Sequence, residues 1–361
     1  MSKLDTAPYK GVRDFYPEDK FIQNYIFRIW RETAERFGFE EYDASVLEPS
    51  DIYKEKSGEE IVNEQTFTFT DRGGREVTMR PEMTPTLARM VAQKRRELGF
   101  PLRWYSIPNL FRYEATQRGR LREHWQFNAD TFGIDNISAD VEIIALADRI
   151  MKGFGATPDM YEIRLSTNAE SKESLETVMQ VLRHEGITNI RHDETLTRGQ
   201  AYYTGVVFEF FDTHPDNNRS IFGGGRYDNL TALFGDSQPL SAVGIAAGDV
   251  TMRDFLETHG LLPTYTPATK LYVVLASHDM QTIDKGIQLG IKFRMEGVNT
   301  AIDFSGKKIG DQIKTADKHK VPYVLVFGDN EAASERYSIK ELATGTETEG
   351  SFEDILSKLK E

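Results

Sequence analysis

Two strand–helix rhythms divide this chain, and they constrain its fold more than any other feature. Up to about residue 260, strand-like segments come in neighbouring pairs. Thr66 to Phe69 faces Glu76 to Arg80 across the turn Asp71 to Gly74, and Leu102 to Glu114 faces His124 to Gly133 across a basic loop, Ala115 to Arg122. A short turn can join only antiparallel neighbours. From Leu271 the pattern alternates instead: strand 271–276, helix 281–296, strand 299–304, helix 309–319, strand 323–327. Alternation of this kind predicts parallel strands with crossover helices. Between the two lies GLLPTYTPAT (260–269), whose two prolines mark a linker. The expectation is an α+β unit over 1–260, a linker over 261–269 and a small α/β unit over 270–361. Helices are expected at Lys20 to Phe37 (with Asp19 as cap and Gly38 as stop), Thr84 to Leu98, Ala139 to Phe154, Ser171 to Glu185 and Phe352 to Lys360. Further strands are expected at Glu41 to Leu47, Glu162 to Ser166, Val206 to Asp212, Ser220 to Phe222 and Ala242 to Ala246, with Gly223-Gly224-Gly225 as a turn and Ser338 to Leu342 as an edge strand.

Composition narrows the chemistry. The 361 residues include no cysteine, which excludes disulfides, thiolate zinc sites and a cysteine nucleophile, and fits a cytoplasmic protein. The seven histidines are scattered, none in an HxxxH or HExxH pattern, so no protein-bound transition metal is expected. No apolar run approaches the roughly 20 residues that span a bilayer, and the first residues hold no apolar signal core; no membrane role is expected. A net charge of −13 argues against a general nucleic-acid coat. Basic residues do cluster locally: Lys94, Arg95, Arg96, Arg103, Arg112, Arg118, Arg120 and Arg122 in one region, Lys307, Lys308, Lys314, Lys318 and Lys320 in another.

Four segments carry candidate chemistry. In Arg80-Pro-Glu-Met-Thr84, Pro81 is expected to open a helix, placing Glu82 and Thr84 in its first turn at the sheet edge, where a carboxylate holds an ammonium group; plain capping is the simpler reading of that segment alone. In Phe111-Arg-Tyr-Glu114, Arg112 and Glu114 alternate with aromatics on a strand and so share a face. An exposed Arg–Glu pair is worth little, yet an ATP site needs this mix: a forked guanidinium for phosphate and a carboxylate for the adenine amino group, with Arg120 in the loop reaching distal phosphates. On the returning strand Gln126, Asn128 and Asp130 again share a face. The third segment, RGQAYYTGVVFE (198–209), combines Arg198, Tyr202 and Tyr203 with glycines that permit close approach. The fourth is FGGGRYD (222–228). Neither GxxxxGK[ST] nor a GxGxxG after a parallel strand occurs.

These segments, in this order, resemble class II aminoacyl-tRNA synthetases, and specifically the histidyl-tRNA synthetases. GVRDFYPED, TMRPEMT, FRYEATQRGRLREHWQ, RGQAYYTG and FGGGRYDNL carry the resemblance, which spans nearly the whole chain. It implies a catalytic antiparallel sheet flanked by helices, a C-terminal α/β anticodon-binding domain, and a homodimer built on the helix 20–37 and the strand ending at Pro49. It implies ATP with Mg2+, L-histidine and tRNA(His) as substrates. By matching position, Glu82, Thr84, Gln126 and Asp130 hold histidine and Tyr202 and Tyr203 contact its imidazole region. Arg112 binds the α-phosphate, Glu114 the adenine edge and Arg120 the γ-phosphate, with Gln126 in the ATP set; Arg198 is the family's distinctive catalytic arginine, set against the α-phosphate beside Arg112. The chain departs from the pattern in its third motif, GIAAGDVTMR (244–253): Thr251 stands where an arginine is expected, and Arg253, two residues on, points elsewhere on a helix. Asp130 replaces a common Glu, and Gln200-Ala201 a common Leu-Asp. The region from about 134 to 196 is short where many members carry a larger helical insertion. A second reading is a non-charging, histidine-binding regulatory paralogue of a histidine-biosynthesis enzyme, which the motif 3 gap favours and the ATP set and C-terminal domain oppose. A third, a class II synthetase for glycine, threonine or proline, is disfavoured by the paired tyrosines.

Overall fold

The computed structural model describes residues 4–54, 65–167, 172–196, 202–217 and 219–361. They divide into two compact units, one ending at Pro263 and one beginning at Thr264.

In the first unit the elements run α1 (Pro17–Arg36), β1 (Glu40–Glu41), β2 (Leu47–Pro49), α2 (Asp51–Lys54), β3 (Phe67–Thr70), β4 (Glu76–Met79), α3 (Thr84–Gln93), β5 (Leu102–Ser106), β6 (Asn109–Phe111), β7 (Glu123–Phe132), α4 (Ser138–Gly153), β8 (Tyr161–Ser166), α5 (Lys172–His184), β9 (Ile190–His192), β10 (Val207–Asp212), β11 (Ser220–Arg226), β12 (Ala242–Gly248) and α6 (Asp249–Thr258). One large sheet has the order β1-β5-β7-β12-β11-β10-β8-β9, with β6 also on β7. Its centre is antiparallel; only the margins, β1 on β5 and β8 on β9, are parallel. A separate small sheet has the order β2-β4-β3.

The period of two along β7 sorts the large sheet's faces. Phe127 and Ala129 turn into a core built with Ile22, Ile26 and Trp30 of α1 and with Ile143, Ile144 and Leu146 of α4; the rings of Trp30 and Phe127 are 5.7 Å apart. Gln126, Asn128 and Asp130 turn to the opposite face. Several expected boundaries move. Helix α1 starts three residues early because Pro17, not Asp19, opens it. The expected strand 41–47 is two short strands in two different sheets. Helix α3 begins at Thr84, with Pro85 as its opening proline, so Glu82 lies in the connection before the helix. That helix stops at Gln93, and Lys94–Glu97 form a turn. The strand expected over 102–114 is broken at Pro108, and Arg112 to Glu114 lie beyond its end.

Gly223, Gly224 and Gly225 are not a turn but the middle of β11, paired with β10 and β12. A β-carbon on Gly224 would run into the Gly244 carbonyl oxygen and the Phe208 ring. These glycines are there for close approach between strands, which local sequence cannot distinguish from a turn.

The second unit holds β13 (Leu271–Leu275), α7 (Met280–Met295), β14 (Thr300–Ile302), α8 (Ile309–Lys318), β15 (Tyr323–Phe327), α9 (Asp329–Ser334), β16 (Tyr337–Glu341), β17 (Glu347–Gly350) and α10 (Phe352–Lys360). Strands β14, β13 and β15 are parallel, as the alternation predicts. Helices α7 and α10 cover one face through Phe293, Phe352 and Ile355, and α8 covers the other through Ala316. Strand β16 is not an edge strand: it lies between β15 and β17, in antiparallel pairing with both. Among the described residues no helix is long and apolar enough to cross a membrane.

Candidate active site

The polar face of the large sheet forms the floor of a cleft of about 390 Å3. Small residues at alternate positions of β12, Gly244, Ala246 and Gly248, keep that floor low. The cleft brings together Glu82, Thr84, Arg112, Glu114, Arg120, Gln126, Asp130, Tyr202 and Tyr203. Arg198 lies outside the described residues, as do Gly199, Gln200 and Ala201.

The two ends of the cleft differ in chemistry. At one end, Asp130 lies opposite Gly244 in the β7–β12 ladder. Its carboxylate accepts a very short hydrogen bond from the Tyr227 hydroxyl. Burial drives the Asp130 pKa up to about 7 against the opposing pull of that bond. A β-carbon at Gly244 would overlap the Asp130 carboxylate, so glycine is required there. Nearby, the Tyr202 hydroxyl donates to Glu82 Oε2 at 3.1 Å, and the Tyr202 ring packs against Tyr203 and Tyr227 with centroids 4.9 and 5.8 Å away. This end therefore presents two carboxylates ringed by phenols, a setting for a small cation with further hydrogen-bonding groups.

At the other end, β7 runs from Gln126, opposite Gly248, towards the basic loop. Arg112 lines the cleft and donates from Nε to the Pro81 carbonyl at 2.9 Å, which fixes its guanidinium. Arg120 pairs closely with Glu114, which is buried. His124 stays neutral: burial first, then Arg112 and Arg13, push its pKa down to about 3. Among the described residues no cluster of histidine and carboxylate side chains is arranged to hold a metal ion.

Other motif residues build the frame. Arg80 is buried and donates to the carbonyls of Ala44 (2.6 Å) and Asn109 (3.0 Å), fastening the small sheet to the strand before Arg112. Arg226 donates to Asp140 at 2.5 Å, to Ser241 Oγ at 2.5 Å and to the Asn136 carbonyl at 2.9 Å, locking the end of β11 to the start of α4. Arg13 pairs with buried Asp249 at 2.7 Å, and Asp249 also accepts from the Trp125 backbone at 3.0 Å. The opening GVRD segment is thus tied to the first turn of α6 and to β7. Arg253 bonds to Asp19 at 2.9 Å and does not line the cleft.

Tyr227, Glu209 and Arg219 also line the cleft, where no expectation from sequence places them. Tyr227 belongs to the FGGGRYD segment and directly follows β11. Arg219 stands outside every motif.

The family model described as "Histidyl-tRNA synthetase" matches residues 11–169 and 161–249, and the one described as "Anticodon binding domain" matches 270–361. The chain is 36% identical over 432 residues to the histidine–tRNA ligase of Leptospira biflexa, covering 99% of this chain and 98% of the relative. It is 33% identical over 441 residues to that of Opitutus terrae, covering 100% and 99%. In structure it is similar to apo histidyl-tRNA synthetase of S. aureus, with a TM-score of 0.84 over 99% of this chain and 100% of that one at 22% identity.

Proposed function

The chain belongs to the histidyl-tRNA synthetase family, and from that premise we propose how its cleft works as a histidine–tRNA ligase. It is an aminoacyl-tRNA ligase with a class II fold and a separate C-terminal anticodon-binding domain. The observation that carries the assignment of roles is the two-ended cleft on one sheet: carboxylates and phenols at one end, arginines at the other.

Histidine's ammonium group binds Glu82, held by Tyr202, with Thr84 and Gln126 alongside. Its imidazole meets Asp130, Tyr202 and Tyr203. ATP enters as its Mg2+ complex, with adenine at Glu114, the α-phosphate at Arg112 and the γ-phosphate at Arg120. A histidine carboxylate oxygen attacks the α-phosphorus, the bond from that phosphorus to the bridging oxygen breaks, and pyrophosphate leaves with the bonding pair. Negative charge grows on phosphoryl oxygens, so fixed cations supply most of the stabilisation. Arg112, already oriented by the Pro81 carbonyl, and Arg198 clamp the α-phosphate. A terminal ribose hydroxyl of tRNA(His) then attacks the histidyl carbonyl and AMP departs. The five lysines on and around α8, with exposed Phe304 beside them, suit a single-stranded RNA loop, where cations follow phosphates and a ring stacks on a base. We place the enzyme in the cytoplasm, with its tRNA, as a homodimer.

The regulatory-paralogue reading is less supported, because the second unit matches an anticodon-binding model and the arginines of the ATP set line the cleft. ATP–pyrophosphate exchange tests the assignment. Exchange stimulated by histidine and by no other amino acid, followed by charging of tRNA(His), is expected. Tight histidine binding without exchange would return the regulatory reading.

A further inference from the structure

The cationic end of the cleft holds an arginine that none of the motifs accounts for. Arg219 immediately precedes β11 and lines the cleft beside Gly119, Arg120 and Thr251. A β-carbon added to Gly119 would stand 3.1 Å from Arg219 Cδ and 3.3 Å from Thr251 Cγ2. The Arg219 stem therefore passes the basic loop at the point that the first turn of α6 also approaches through Thr251. Thr251 leaves that passage open, because its side chain is short and its hydroxyl turns back to the Gly248 carbonyl at 3.2 Å. Among the described residues the Arg219 side chain has no hydrogen-bond or ion-pair partner. Partial burial, and then the neighbouring Arg120, both disfavour its charge, and only Glu114 counters them. Glu114 is already paired with Arg120. Two guanidiniums thus share one carboxylate in a partly desolvated corner, an arrangement that is costly when empty and suited to a polyanion.

We propose that Arg219 is a second arginine for the distal phosphates of ATP, meeting them together with Arg120 in the space that Thr251 leaves. The inference rests on the reading of the cleft as an ATP-dependent, histidine-activating site. Arg219 approaches that space from the sheet rather than from α6. As histidine's carboxylate oxygen bonds to the α-phosphorus and the pyrophosphate oxygen takes the bonding pair, the charge that builds on pyrophosphate lies between Arg120 and Arg219.

The test is ATP–pyrophosphate exchange by the full chain and its Arg219→Ala and Arg219→Lys variants, beside binding of a non-hydrolysable histidyl-adenylate analogue, which has no distal phosphates. Removing one donor aimed at developing charge costs about 100-fold or more in rate. For Arg219→Ala we expect a loss of that order in exchange and raised KM for both ATP and pyrophosphate, with analogue affinity and melting temperature unchanged; Arg219→Lys regains part of the rate. Wild-type exchange kinetics in Arg219→Ala, or equal loss of analogue affinity, overturns the proposal while leaving the histidine-activating reading intact. Absence of histidine-dependent exchange in the wild-type chain overturns both.

Discussion

Two acidic side chains show how burial sets a residue's task. Asp130 is almost fully buried and its pKa is raised to about 7, well above the roughly 3.9 of an unfolded aspartate. A raised folded-state pKa means that the stabilising contribution is complete below about pH 4 and is lost as pH rises through 7. The loss by pH 8 is on the order of 4 kcal/mol. Urea unfolding at pH 5 and pH 8 is therefore expected to show wild type losing stability relative to Asp130→Asn as the pH rises; parallel pH dependence in the two proteins would contradict the burial argument. The same carboxylate, once ionised, offers a bound imidazole a strong acceptor, so Asp130→Asn is also expected to weaken histidine binding at pH 8. Asp140 is buried too, and burial raises its pKa, but Arg226 opposes that shift by direct pairing. Removing Arg226 strands a buried charge, a change that costs about 3–5 kcal/mol. The two arginines flanking the glycine-rich segments then separate by measurement. Arg226→Ala is expected to lower the melting temperature and lose histidine binding with it. Arg198→Ala is expected to abolish adenylate formation while histidine binding survives in calorimetry; near-wild-type exchange in that variant would remove Arg198 from the phosphate clamp.

At the scale of elements, what the sequence discloses depends on how far apart the partners are. The polar alternation Gln126, Asn128, Asp130 is local, and it marks the cleft face of β7 from sequence alone because side chains must alternate across a strand. The parallel core of the second unit is legible for the same reason, since helix and strand periods change every few residues. The hairpin partner β17 is not legible in sequence, because Glu347-Thr-Glu-Gly350 is polar and short, with nothing apolar to alternate. Arg219 is not legible in sequence because no neighbouring residue reports its job: the residues it lies against, Gly119 and Thr251, are about 100 and 32 positions away in the chain. The glycine triplet reads as a turn because a glycine chosen for contact and one chosen for a turn are spelled alike. That distinction is testable. Gly224 lies between β10 and β12, and a methyl group there meets the Gly244 carbonyl, which rigid backbone cannot move aside. Gly224→Ala is expected to destabilise the first unit by about 2 kcal/mol or more, at the upper end of overpacking costs, with loss of exchange activity. A turn glycine in ordinary φ/ψ space would tolerate alanine and even gain stability, so an unchanged melting temperature would argue for slack between these strands.

For the whole molecule, the strongest unexplained surface is the small sheet. Its register aligns Leu47, Met79 and Phe67 in one row and Pro49, Val77 and Phe69 in the next. With a period of two, all six apolar side chains fall on the same face, and none of them is fully buried. Leu47 and Phe69 are each 47% exposed. The opposite face is the one that packs inward: Glu48 is buried against Arg89, and Thr78 bonds with Ser50 and Thr68. An apolar face of this kind on a free-standing monomer is an aggregation hazard. The homodimer proposed above would cover it, because the strand ending at Pro49 is the one that the family resemblance places at a dimer interface. A two-fold axis through the sheet would bury the same six residues of each copy against one another. Sedimentation equilibrium is expected to give twice the chain's 41.2 kDa. Leu47→Asp combined with Phe69→Asp places four charges in that interface per dimer, and the expected product is a folded monomer with little exchange activity, since Pro81, Glu82 and Arg112 sit directly behind β4 and inherit its order. A double variant that remains dimeric and fully active would locate the interface elsewhere; a wild-type chain that sediments as a monomer would show that this face has another cover.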